Sequence, residues 1–347
     1  MRWVGIWIAT AALAGGMRPH EARAAAAAAD STPRIPERDR IRLAEAFRVA
    51  AAVQDEVWPQ WSTAPFAVLL VTPEVEFLVR HPSPDRSFAP AAYDSLLGSR
   101  VYWRRRVFPA AFQATFPAVG GVSTIVIGQA ENARPQQNST RWVLTVLHEH
   151  FHQWQESRPG YIEAVNGLEL ARGDSTGMWM LDFPFPYADS TISRSFDEWC
   201  RLSAAALRAR GGADFAPAFR RWDEARVRLQ RRLAPDDGRY VAFQLWKEGV
   251  ARYTEYRLAR VAAANKYRPS PQYRSLADYT SFEVEADRVL DQIVNEQASL
   301  RLSEWRRVAV YSTGAAEALL LDVVRPNWRE DYTRERFSLD GLFPASR

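Results

Sequence analysis

The stretch VLHEHFHQWQ, Val146 to Gln155, places three of the chain's five histidines within five residues, with a glutamate among them. On a helix, residues four apart share a face, so His148 and His152 can bring two imidazoles to one zinc ion. Glu149 lies about 100° further round, where its carboxylate can take a proton from a water activated by that metal. His150 points about 160° away from the midpoint of the pair and is not expected to be a ligand. A catalytic zinc site needs a third protein ligand and an open position. His20 lies near the N-terminus and His81 in a proline-rich loop. A carboxylate must therefore complete the set, and residue types alone leave open which one.

Three further segments have residues suited to a site. LWKEGVARYTEYRLAR places Glu248-Gly249 at the start of a helix, with Glu255 two turns on. VAVYSTGAAEALLLD holds Tyr311, Gly314 and Ala315 ahead of an apolar run ending at Asp322. GGVSTIVIG begins with Gly120-Gly121 and continues to Ser123.

In this order the segments resemble the gluzincin zinc metallopeptidases, and among them the aminopeptidase families, glycyl aminopeptidases included. Those families carry an HExxH helix, a Glu-Gly-x-x-x-Tyr helix and a later Tyr-x-x-Gly-Ala segment. The resemblance implies His148, His152 and Glu248 as ligands of one Zn2+, Glu149 as general base and Tyr311 as donor to the developing oxyanion. Glu255 is then placed to orient a ligand histidine through its other ring nitrogen. Two features depart from the families. The 96 residues from His152 to Glu248 exceed their usual spacing, which leaves Glu163 and Glu169 as nearer alternatives for the third ligand. After Gly120-Gly121, the position where the families carry a glutamate that anchors the substrate's amino group is Ser123. A serine supplies no charge for an ammonium, so strict aminopeptidase specificity does not carry over. Pairing of an extended peptide along this strand, read as an edge, would survive the change.

The elements that must position these residues are legible in outline. Residues 38–58 have helical spacing, and 139–155 form the helix of the opening stretch, with Ser139 as its N-cap. Asn138-Ser139-Thr140 also matches a glycosylation acceptor, which the capping role explains equally well. Strands are expected at 66–71, 75–80, 101–108 and 121–129, with loops at 81–90 and 132–138. Helices follow near 193–210, 214–233, 240–264, 276–299 and 301–325. The fold class is α+β. A small mixed-sheet lobe, 38–157, carries the HExxH helix. A mostly helical lobe, 158–347, carries the third ligand and Tyr311, with the active site in the cleft between them.

Residues 1–24 read as a signal peptide, with Arg2 before an apolar run and Ala22-Arg23-Ala24 as a cleavage point, and 25–37 as a flexible lead-in. A periplasmic or secreted protein with no stable membrane association after cleavage follows. A hydrophobic content of 47% with 25% charged residues is that of a folded globular chain. The net charge of +4 comes without a basic run interleaved with aromatics, so no nucleic-acid partner is expected. Cys200, the single cysteine, excludes an internal disulfide and reads as a small buried hydrophobe. Thirteen tryptophans point to a large aromatic core. The expected activity is hydrolysis of a peptide or protein substrate by an exported zinc metallopeptidase. Its rivals are a zinc hydrolase of a non-peptide bond and a non-catalytic binding protein stabilised by its metal. The sequence does not set the oligomeric state.

Overall fold

The computed structural model describes residues 32–133 and 137–344. The expected signal peptide and most of the lead-in lie outside them. Among the described residues, no helix is long and apolar enough to cross a membrane.

The α+β expectation holds: a six-stranded mixed sheet is followed by a long helical section. The chain begins with α1 (Glu37–Val57) and then builds β1 (Val68–Val71), β2 (Val75–Val79), β3 (Ala89–Asp94), β4 (Ser99–Arg105), β5 (Gln113–Val119) and β6 (Val122–Gly128). The order across the sheet is β3-β4-β2-β1-β6-β5. Only β1 and β6 run parallel, Val68 opposite Ile125, and the other pairs are antiparallel. Alternation along the strands sorts the apolar side chains to two faces. Val68, Leu70, Phe77, Val79, Ile125 and Ile127 face the helices, whereas Leu69, Val71, Leu78 and Val126 meet Phe88, Phe112 and Phe116 on the other side.

Two strands depart from the sequence expectation. β3 begins within the stretch read as loop, and β5 was not anticipated at all. Both are edge strands, and both carry a proline, Pro90 and Pro117, which a ladder tolerates only at an edge. β5 turns into β6 through Gly120 and Gly121, at φ 56° and 75°, a two-residue hairpin turn that glycine enters without strain. β6 is therefore an interior strand, and the expected open edge at Gly121 and Ser123 is corrected: the edge is β5.

The helix of the opening stretch is α2 (Ser139–Glu156). Its N-cap is Asn138 rather than Ser139, since the Asn138 side chain accepts a 2.7 Å hydrogen bond from the Arg141 amide. The Ser139 hydroxyl instead accepts from Arg42 and donates to Asp278. The rest of the chain supplies α3 (Ser190–Arg208), α4 (Phe215–Gln230), α5 (Pro235–Gln244), α6 (Val250–Ala264), α7 (Phe282–Ser299) and α8 (Ala309–Val324). A wide π-turn, Leu245–Gly249, joins α5 to α6.

α2 is buried on every side, packed between β5 and β6 on one flank and α1 and α6 on the other. Phe151 and Trp154 join Trp58, Trp246, Trp328 and Tyr332 in an aromatic cluster that fixes this helix against its neighbours. Among the described residues, seven tryptophans are fully buried, in keeping with an aromatic core. One continuous cluster of buried side chains runs from Ile35 to Phe343. Cys200 is buried with its sulfur 3.5 Å from the Thr313 hydroxyl.

Candidate metal centre

The one-turn spacing of His148 and His152 on α2 puts their Nε2 atoms 3.2 Å apart. The π-turn adds Glu248, whose Oε2 lies 3.4 Å from His152 Nε2 and 3.8 Å from His148 Nε2. Four ligands on bonds of about 2.05 Å at tetrahedral angles stand about 3.3 Å from one another. The three observed separations bracket that value, and this buried group can hold a metal ion. Glu163 and Glu169, the nearer carboxylates in sequence, are exposed and do not belong to it.

Each histidine uses its other nitrogen for a hydrogen bond that orients the ring. His148 Nδ1 lies 2.9 Å from Glu255 Oε1, and His152 Nδ1 lies 2.7 Å from Gln155 Oε1. Such a bond sets the tautomer and turns Nε2 toward a metal. Glu255 is in turn held by Arg252. Burial would raise the Glu255 carboxyl, but Arg252 and His148 hold it down at about 2, so it stays charged. Burial likewise opposes charge on His148, yet Glu248 and Glu255 raise it to about 10. Against burial, the two imidazoles keep Glu248 well below the usual carboxylate range. The pocket thus favours positive charge, as a proton or as a cation, and metal binding must displace that proton.

Glu149 faces the edge strand. Gln113 Nε2 donates to its Oε1 at 3.2 Å and the Thr115 hydroxyl to its Oε2 at 2.8 Å. Both donors are neutral, so the carboxylate is steered without being tied to a cation. Sequence reasoning missed these two residues. Their only signal was the alternation of Gln113 and Thr115 with Ala114 and Phe116, which Pro117 obscured.

Tyr311 lies in the first turn of α8, its ring stacked on His148 with centroids 6.1 Å apart. Burial, and then the Glu248 carboxylate, push its hydroxyl well above the ordinary range, so it remains a donor. The backbone explains how Glu248 and Tyr311 come together. A Cβ on Gly249 would lie 2.4 Å from the Gly314 Cα, and one on Gly314 would lie 2.5 Å from the Leu245 carbonyl oxygen. The π-turn and α8 therefore cross backbone on backbone, which only glycine permits. π-turns within helices occur often at functional sites. Here the wide turn carries both the third member of the group, the Glu248 carboxylate, and one half of this crossing.

The remaining expected site residues lie to one side. Gly121 forms the hairpin turn, and the Ser123 hydroxyl donates to Glu156 Oε2 at 2.8 Å. Glu156 is also paired with Lys247 Nζ at 3.1 Å, so no free negative charge stands there. His150 is not near the group: it stacks on Phe66, 3.7 Å between centroids, and burial lowers it to about 3, keeping it neutral. His81 bonds instead to the Val119 carbonyl.

No family model matches the chain, and neither a curated protein nor a solved structure is detectably similar to it.

Proposed function

We propose that the protein is a zinc-dependent hydrolase of peptide bonds, of gluzincin type, exported to the periplasm or beyond the cell. The observation that carries this reading is the His148, His152 and Glu248 group with an unpaired general base, Glu149, on the same helix. Bound there, zinc would supply a Lewis acid that polarises a carbonyl and lowers the pKa of a water. Glu149 takes the proton from the attacking water and passes it to the leaving amine. Gln113 and Thr115 hold its carboxylate in place for both transfers. Tyr311 donates to the oxygen that gains charge at the scissile carbonyl. A stabilising metal alone has no use for a buried carboxylate reserved in this way, which speaks against a non-catalytic binding protein.

Gln113, Glu248 and Tyr311 keep partial exposure, and the substrate would reach the group past them. β5 is an edge strand, so an extended peptide can pair with its backbone beside Glu149. The test is hydrolysis of a peptide mixture by zinc-loaded wild type and Glu149→Gln. The expected result is cleavage by the wild type and a loss of about 100-fold or more in the variant, with zinc retained. Equal cleavage by both would refute the mechanism, and none by the zinc-loaded wild type would refute the peptidase reading.

A further inference from the structure

A guanidinium that forms no ion pair among the described residues stands beside this group. Arg307 lies in the short 3-10 turn ahead of α8, half-buried, with Nη1 3.4 Å from the Tyr311 hydroxyl. Its Cζ is 5.6 Å from the Tyr311 ring centroid, and it lies within electrostatic reach of Glu248 and Tyr240. Among the described residues it forms no ion pair with a carboxylate. The arginines buried most deeply are treated otherwise: Arg42 meets Asp39, Glu131 and Asp278; Arg226 meets Asp223 and Asp340; Arg252 meets Glu255. Against partial burial, Tyr311 and Glu248 keep Arg307 charged, while its fork has no carboxylate bonded to it and can take both oxygens of an anionic ligand.

Three other features point the same way. Arg306, with φ 48° and ψ −132°, is held in a backbone conformation that a side chain rarely adopts, and this kink delivers Arg307 to the start of α8. The N-terminal end of α8 adds its own positive potential. Glu156, which the Ser123 hydroxyl meets, is neutralised by Lys247 and so would not attract an ammonium.

We propose that Arg307 binds a carboxylate of the substrate, so that the centre acts on peptides presenting a carboxylate on the Tyr311 side of the scissile bond. This rests on the hydrolytic reading of the metal group. The guanidinium fork pairs with both carboxylate oxygens, which places the neighbouring carbonyl by Tyr311 and selects against amides. The carboxylate can be the peptide's C-terminus or an acidic side chain, and the experiment separates these sources.

Binding is measured by calorimetry on zinc-loaded Glu149→Gln protein, which holds peptides without turning them over. One probe pair is a short alanine-rich peptide as free acid and as C-terminal amide. The other is that amide with an internal glutamate or an internal glutamine. A charge-assisted pair makes the acid of one probe pair bind about tenfold more tightly or better than its neutral counterpart. The pair that shows the difference identifies the source. Adding Arg307→Gln abolishes the preference, and Arg307→Lys retains part of it, at an unchanged melting temperature. Equal binding within both pairs, or a preference that survives Arg307→Gln, overturns the proposal. A preference without turnover by the wild type would keep the carboxylate site and remove the hydrolase reading. Turnover without preference would do the reverse.

Discussion

Replacing Gly314 by alanine adds one methyl group to α8 at the point where it crosses the π-turn. The new Cβ would stand 2.5 Å from the Leu245 carbonyl oxygen and 2.8 Å from the Gly249 Cα, both backbone atoms that cannot swing aside. Ordinary contact begins at 3.4 Å, so one helix must retreat from the other by about 0.9 Å, and close-packed interiors resist such shifts. Overpacking of this kind costs about 1–3 kcal/mol. If the π-turn moves, Glu248 leaves the reach of a bond that tolerates only about 0.2 Å. If α8 moves, Tyr311 leaves the position proposed for it beside the scissile carbonyl, and misplacement by about 1 Å costs on the order of 100-fold in rate. The assay is a thermal melt with and without zinc, with zinc affinity from competition against a chelating dye. Gly314→Ala is expected to lower the melting temperature and to weaken either zinc binding or hydrolysis. Gly238→Ala in α5 is the control: its Cβ would meet nothing nearer than Leu233 at 4.0 Å, so it should stabilise by about 0.4–1 kcal/mol. A Gly314→Ala protein that melts, binds zinc and hydrolyses peptides like the wild type would refute the claim that this crossing positions Glu248 and Tyr311.

Thr115→Val removes the hydroxyl that steers Glu149 while keeping the shape of the side chain. Hydrolysis should fall about tenfold with zinc content unchanged, and a loss of zinc instead would show that β5 supports the metal group rather than the base. Glu317 is buried on α8, where burial and then Asp340 raise its carboxyl to about 8 from 4.5. The folded chain therefore holds this proton more tightly than the unfolded chain, and stability falls as pH rises from 4.5 to about 8. Glu317→Gln should gain over the wild type across that window, by up to a few kcal/mol, in melts taken at several pH values. An advantage that does not change with pH would contradict the assignment.

The parts of the site legible in the sequence were those written locally on helices. His148, Glu149 and His152 declare their geometry through a single turn, and Glu248, Glu255 and Tyr311 each sit near a helix start with recognisable companions. The structure brings them together although Glu248 lies 96 positions beyond His152, with mostly helical chain between. The parts not legible depend on long-range contact. Gln113 and Thr115 matter because β5 pairs with β6 beside α2, and Pro117 disguised that strand, since proline argues against a strand except at an edge. Gly249 and Gly314 look like ordinary weak points in helices until their backbones are seen in contact. Asn138 took the cap expected of Ser139 because Ser139 is drawn into the buried network of Arg42 and Asp278. Arg307 had no signal in the sequence, where one arginine among many cannot be seen to lack a partner.

The proposed hydrolysis requires that His148, His152 and Glu248 hold a zinc ion. X-ray absorption at the zinc edge, on purified wild type and on the His152→Ala and Glu248→Ala variants, tests it most directly. One zinc per wild-type chain is expected, with nitrogen and oxygen neighbours at about 2.0–2.1 Å, two of them imidazole, and its loss or rearrangement in each variant. A wild type that binds no zinc, or a zinc environment identical in all three proteins, would contradict it.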